Sequence, residues 1–310
     1  MDTFRCGVLL GLLLLYLPLA SAEIYKWVDE KGRVHFGDRK DKKLAQEVVK
    51  PQIHASQWSR YNIDVKAEDV AISPEEIQSI RDGVNHVYEF YDRILHFDFY
   101  KTVPVNILIL KDQATYYQYL TKKYGRRPTP SYDVYYPKDN QIIVYMREDR
   151  AGTFRTIRHE ASHAIVDTIT PYAPAWLNEG LAEQMETLKK SGSQLKIDKH
   201  AINHRQVRPQ LQSNSVMGIG AFLRLPSKKW RHTLANRNGG LQAYAGEFVN
   251  FLLSTSPDRS FVMRLMHKFE RGDRTISYYL VDQNYIGGIR TLEVKWNSWL
   301  AASRQDTIEL

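Results

Sequence analysis

Residues 159–163 read HEASH, and two histidines four apart around a glutamate are a spacing with a chemical use. On an α-helix His159 and His163 stack one turn apart, so both imidazoles can reach a single zinc ion. Glu160 projects beside them, toward where a water molecule on that ion would sit, and is placed to act as a general base. The bland alternative is a pair of polar residues on a solvated face, and a third ligand decides between the two. The stretch PAWLNEGLAEQME, starting at Pro174, offers one. Its Glu179, Glu183 and Glu186 recur at helical spacing, opposite an apolar face of Leu177, Leu181, Met185 and Leu188. That acidic stripe either faces solvent or faces the histidines. If two antiparallel helices meet across the turn containing Pro171 and Pro174, Glu179 completes a His, His, Glu set with one position open for water. Glu183, one turn on, and Asn178 are candidates to hold a ligand histidine by its outer nitrogen.

The elements that must position these residues follow from periodicity. Phe154, Ile157, Ala161, Ala164, Ile165 and Thr168 gather on the side of the first helix away from the histidines. Upstream, Ser73-Pro74-Glu75-Glu76 is a helix start, with a capping serine, proline in the first turn and acids at the positive end of the dipole. Ile77, Ile80, Val84, Val87, Tyr91 and Ile94 extend that helix over roughly 74–96. VPVNILIL at 103–110 reads as a buried strand, 113–123 as a tyrosine-rich helix, and 133–146 as a hairpin turning at Lys138, Asp139 and Asn140. The expected class is therefore α+β, a small mixed helix and strand lobe followed by a mainly helical lobe. Residues 190–240 give no strong period. His200, His204 and His232 in that region, and His86, are expected at the surface, since none has a partner at metal-ligand spacing. Phe261, Leu265, Phe269, Leu292, Trp296 and Trp299 read as helices closing the core.

The chain of 310 residues, 43% hydrophobic and 25% charged, can bury a sizeable core. It opens with Arg5, an apolar run from Val8 to Ala20 and the small residues Ala20-Ser21-Ala22, the pattern of a signal peptide over 1–22. The sole cysteine, Cys6, lies in that segment, so the expected mature chain has no disulfide. No later run is long and apolar enough to span a bilayer. Residues 23–40 alternate Tyr25 and Trp27 with polar residues, turn at 29–32 and resume with Val34 and Phe36, a small β-hairpin domain. Residues 41–72 read as a linker, 73–302 as the main domain and 303–310 as a tail. The net charge of +8 is scattered; RKDKK at 39–43 and KKYGRR at 122–127 are its densest stretches. It fits an envelope location and gives no nucleic-acid footprint.

The motif pair HEASH and PAWLNEGLAE resembles the gluzincin zinc metallopeptidases, and in particular the peptidase MA-like family, in which a later segment like YAGEFVNFLL at 244–253 also follows. The similarity runs over roughly residues 74–302. It implies a zincin-like fold, zinc held by His159, His163 and Glu179, Glu160 as general base, and Tyr244 as the phenol that bonds the developing oxyanion, with Tyr135 and Tyr145 as rivals for that last role. No G-x-M-E-N strand precedes HEASH and SYDVYYPKDN stands in its place, which disfavours an aminopeptidase. Residues 23–40 resemble a short domain of unknown function found after the signal peptide of many Gram-negative envelope proteins. The expectation is an exported, periplasmic zinc peptidase acting on a peptide or protein, with a cell-envelope component as a possible further partner. A noncatalytic envelope module on a zincin scaffold and a zinc amidase acting on cell-wall crosslinks are the alternatives.

Overall fold

A computed structural model describes residues 24–28, 34–37, 47–49, 63–97, 106–125, 133–212, 217–230, 240–302 and 307–310. The expected signal peptide, the basic stretch at 39–43 and His232 lie outside these residues. The chain divides into two units, Met1–Trp58 and Ser59–Leu310.

In the first unit, β1 (Ile24–Val28) and β2 (Val34–Gly37) form the antiparallel hairpin that the alternation predicts, with Val28 opposite Val34. On its other side β1 pairs with β3 (Glu47–Val49), so three strands stand in the order β2-β1-β3. β3 falls in the range read as a linker, which is thus partly structured.

The second unit corrects that linker again. It contains β4 (Asp64–Glu68), which runs parallel to β5 (Asn106–Leu110), with Ala67 opposite Ile109. Most side chains of DVKAE are exposed, so this edge strand is held by its backbone ladder and carries no hydrophobic alternation to betray it. β5 pairs in parallel with β7 (Gln141–Tyr145), and β7 pairs antiparallel with β6 (Asp133–Tyr136), giving the order β4-β5-β7-β6. The β6–β7 turn passes through Asn140 at φ 45°, a left-handed conformation that asparagine tolerates. Parallel neighbours need crossovers, and α1 (Pro74–Arg93) and α2 (Gln113–Tyr124) supply helical ones. α1 starts with a complete capping box between Ser73 and Glu76. The same Glu76 takes two hydrogen bonds of 2.6 Å from Arg150, tying that start to the next long helix.

One face of the sheet is a cluster of Leu108, Leu110, Ile143 and Tyr145 with Tyr116 and Leu120 of α2. Ile107, Ile109, Ile142 and Val144, also buried, alternate to the opposite face, where α3 (Arg150–Ile169) packs along β6 and β7. α4 (Ala175–Glu186) lies against α3 and ends before Leu188, which opens a strand where a helical residue was expected.

The region without a clear period holds a hairpin of β8 (Leu188–Ser191) and β9 (Gln194–Asp198), followed by α5 (Ala201–Gln212) and the short α6 (Ile219–Phe222). α7 (Gly240–Leu253), α8 (Ser256–Glu270), α9 (Ser277–Asn284) and α10 (Gly288–Ala301) complete the helical part. The expected tail is corrected too. β10 (Thr307–Glu309) pairs antiparallel with β9, and Arg259 donates to the Glu309 carbonyl at 2.9 Å. The class is α+β. Among the described residues no helix is long and apolar enough to cross a membrane.

Candidate metal centre

The HEASH segment lies mid-way along α3, which is buried over most of 156–166 because the sheet, α1 and α4 all pack on it. The apolar side expected from periodicity runs out at its end, where Thr168 is exposed. α4 is seated tightly on α7. A Cβ on Gly180 would stand 2.8 Å from the Ala245 carbonyl oxygen and 3.0 Å from Val249 Cβ, so only glycine permits this approach. Trp176, the first aromatic of the motif, anchors α4 by donating its indole N–H to Ser277 at 3.0 Å. At the far end, the half-buried Arg158 of α3 donates to the carbonyls of Met185 and Glu186, satisfying orphan groups at the C-terminus of α4.

These anchors turn the acidic stripe of α4 toward His159, and the solvated reading of that stripe is overturned. Glu179 Oε2 lies 3.7 Å from His159 Nε2 and 3.8 Å from His163 Nε2. Those separations exceed hydrogen-bond reach and lie a few tenths of an ångström above the roughly 3.4 Å that donors keep when tetrahedral around one zinc at about 2.1 Å. The three side chains His159, His163 and Glu179 can therefore hold a metal ion. Their outer nitrogens are engaged. His163 Nδ1 donates to Asn178 Oδ1 at 3.0 Å, so its Nε2 lone pair is presented inward. His159 Nδ1 lies 3.0 Å from Glu186 Oε1. Glu160 is buried on the same turn of α3 as the two histidines.

Glu183, expected to support a ligand histidine, stands 3.8 Å from His159 Nδ1, and its Oε2 accepts instead from the Asn203 amide at 2.6 Å. Glu186, one turn later and nearer, is the direct partner of His159. The sequence offered only the spacing of the three glutamates, and that did not rank them. His200, expected at the surface, is largely buried, with Nε2 3.2 Å from Glu186 Oε2.

The structure does not bring Tyr244 to this constellation. Its hydroxyl donates to the Met217 carbonyl and accepts from the Trp296 indole at 3.1 Å, within a cluster containing Phe222, Phe248 and Trp296. The segment at 244–253 serves packing instead, since Ala245 and Val249 receive Gly180, and Gln184 donates to the Gly246 carbonyl at 2.8 Å. Of the rival tyrosines, Tyr145 lies under α2, whereas Tyr135 pairs with Ile142 on the face toward α3.

The charges respond to this crowding. Burial pulls the His159 imidazole down, but the Glu179, Glu186 and Glu183 carboxylates together outweigh it and raise the group well above the usual histidine value. Burial dominates at His163 and lowers it. Burial opposes ionisation of Glu179, yet the two histidines hold its carboxyl below the ordinary range. Glu183, buried and beside Glu186, is pushed up to about 7. Glu186 stays ionised despite burial because His159 and His200 both hydrogen-bond it. The arrangement is thus two inward imidazoles, one inward carboxylate and a supporting layer of Asn178, Glu183 and Glu186.

Among known families, the model of a domain of unknown function (DUF4124) matches residues 11–57. No curated protein matches the chain.

Proposed function

We propose that this protein is an exported zinc-dependent peptidase of the gluzincin type, a member of the peptidase MA-like family, working in the periplasm. The observation that carries the reading is the convergence of His159 Nε2, His163 Nε2 and Glu179 Oε2 at metal-ligand spacing, with Glu160 buried in the same turn. A passive scaffold needs the three ligands and has no use for that fourth, acidic residue.

His159, His163 and Glu179 would hold the ion. When bound, zinc supplies a Lewis acid and brings the pKa of water at its open position to about 7. Glu160 takes the proton of the attacking water and returns it to the leaving amine nitrogen. Asn178 and Glu186 keep the two imidazoles turned inward. A peptide substrate is favoured by the sheet. Among the described residues β6 pairs only with β7, and α3 packs along it, so an extended chain can add to that edge through backbone hydrogen bonds.

The test is metal content and turnover of the purified chain. About one zinc per chain, lost in His159→Ala/His163→Ala and sharply reduced in Glu179→Ala, is expected. Glu160→Gln is expected to keep the zinc and lose peptide cleavage. Full zinc in Glu179→Ala would remove the third ligand, and cleavage of cell-wall fragments in place of peptides would transfer the site to amidase chemistry.

A further inference from the structure

Behind its inward face, His159 begins a second polar chain that leaves the site. We infer that His200, at the entry to α5, is a positioning residue that fixes the proton and the ring of His159 through Glu186. The inference rests on the reading of His159 as a metal ligand, and extends it to a residue outside both motif helices.

Hydrogen-bond polarity sets the direction of the chain. A backbone N–H can only donate, and that of Asn203 points at His200 Nδ1 at 3.3 Å. Nδ1 of His200 is therefore the acceptor, and the ring N–H lies on Nε2. That N–H donates to Glu186 Oε2 at 3.2 Å. The other oxygen of the same carboxylate lies 3.0 Å from His159 Nδ1, which must in turn donate. The chain ends with a proton fixed on His159 Nδ1, so that Nε2, on the side toward Glu179, is the nitrogen left to bind a metal once the extra proton is lost.

Glu183 flanks this chain without joining it. It is 3.7 Å from His200 Nε2 and 3.8 Å from His159 Nδ1, and its short bond is to Asn203. That bond fixes α5 instead. Gly246 makes room for it, since a Cβ there would stand 3.0 Å from Glu183 Cβ and would also meet the Asn203 amide. Asn203 thus sets both the height of α5 and the tautomer of His200, and no water or mobile loop is needed to complete the path.

The experiment uses the full chain with His200→Ala, His200→Gln and His200→Asn. Zinc affinity is measured by competition with a chromophoric chelator. The exchange rate of the His159 Nδ1 proton is read by ¹H–¹⁵N NMR, with and without zinc. His200→Ala is expected to weaken zinc binding by about 10- to 100-fold and to speed Nδ1 proton exchange at least in proportion. His200→Gln, whose amide can reach Glu186, should recover most of both. His200→Asn, too short to reach, should not, and it stands in for the alanine variant if that fails to fold. Wild-type zinc affinity and wild-type proton exchange in His200→Ala and His200→Asn would overturn the role. So would a second zinc per chain that depends on His200, because His200 would then be a ligand. If the wild-type chain takes up no zinc, the metal reading falls, and the exchange comparison in the zinc-free chain alone upholds or overturns the positioning role.

Discussion

Gly180→Ala isolates the contact that holds the third candidate ligand in place. The new methyl carbon would stand 2.8 Å from the Ala245 carbonyl oxygen and 3.0 Å from Val249 Cβ, against ordinary contacts of 3.4–4 Å. Backbone oxygen cannot step aside, so α4 and α7 must part by several tenths of an ångström. Overpacking of this kind costs about 1–3 kcal/mol, and contact with backbone argues for the upper end. Replacing a mid-helix glycine by alanine returns about 1 kcal/mol of helix propensity. The net expectation is a loss of about 2 kcal/mol, or roughly 4–8 °C in Tm for a domain of this size. Urea titration of the zinc-free chain should show a lower midpoint at an unchanged slope. Gly240→Ala, at the start of α7 with nothing within 4 Å of the new carbon, is the control and should not destabilise. Because Glu179 adjoins Gly180, the same variant should also bind zinc more weakly. A Gly180→Ala chain as stable as the Gly240→Ala control would refute the packing argument.

Zinc must displace the extra proton that the carboxylates place on His159, so binding should release protons at neutral pH, measurable by calorimetry in buffers of different ionisation enthalpy, and affinity should fall as pH drops. Glu183 has a folded pKa of about 7 against 4.5 unfolded, so the stability it contributes to the zinc-free chain is full below pH 4.5 and lost as pH rises through 7. Glu183→Gln should therefore raise stability at pH 8 by about 1–3 kcal/mol and flatten the profile between those values; an unchanged profile in denaturant titrations would contradict this. Tyr244→Phe removes a hydroxyl bonded to Met217 and Trp296, and should cost about 1–2 kcal/mol while leaving kcat unchanged; a large fall in kcat at constant stability would return Tyr244 to the reaction.

The parts of the fold that repeat a period were legible. The capping box at Ser73, the buried strand NILIL and the helix carrying HEASH all announce themselves through residue types that local structure demands. β4 and β10 did not, because their pairing is made by backbone groups whose side chains carry no pattern. The candidate ligands were legible for a similar reason, since the one-turn spacing of His159 and His163 is itself geometric. The supporting layer was not. Glu183 and Glu186 are equivalent in sequence, and only the observed seating of α4 on α3 decides which meets His159. His200 was read as surface because its partners lie on another helix and no spacing links them. Tyr244 was read through its motif alone, and the segment that carries it also meets a packing demand that sequence does not display, since Ala245 and Val249 receive Gly180.

Among the described residues β6 pairs only with β7, and under the proposed peptidase reading that edge has a consequence in concentration. A backbone ladder that accepts an extended substrate has no means of telling it from an extended segment of another copy. Val134, Tyr135 and Tyr136 along that strand are half-buried, so a second chain laid there would also cover apolar surface. If the chain is a peptidase as proposed, crowded copies would then compete with substrate for one strand's width of protein, and specific activity would fall as protein concentration rises. Dilution would restore it.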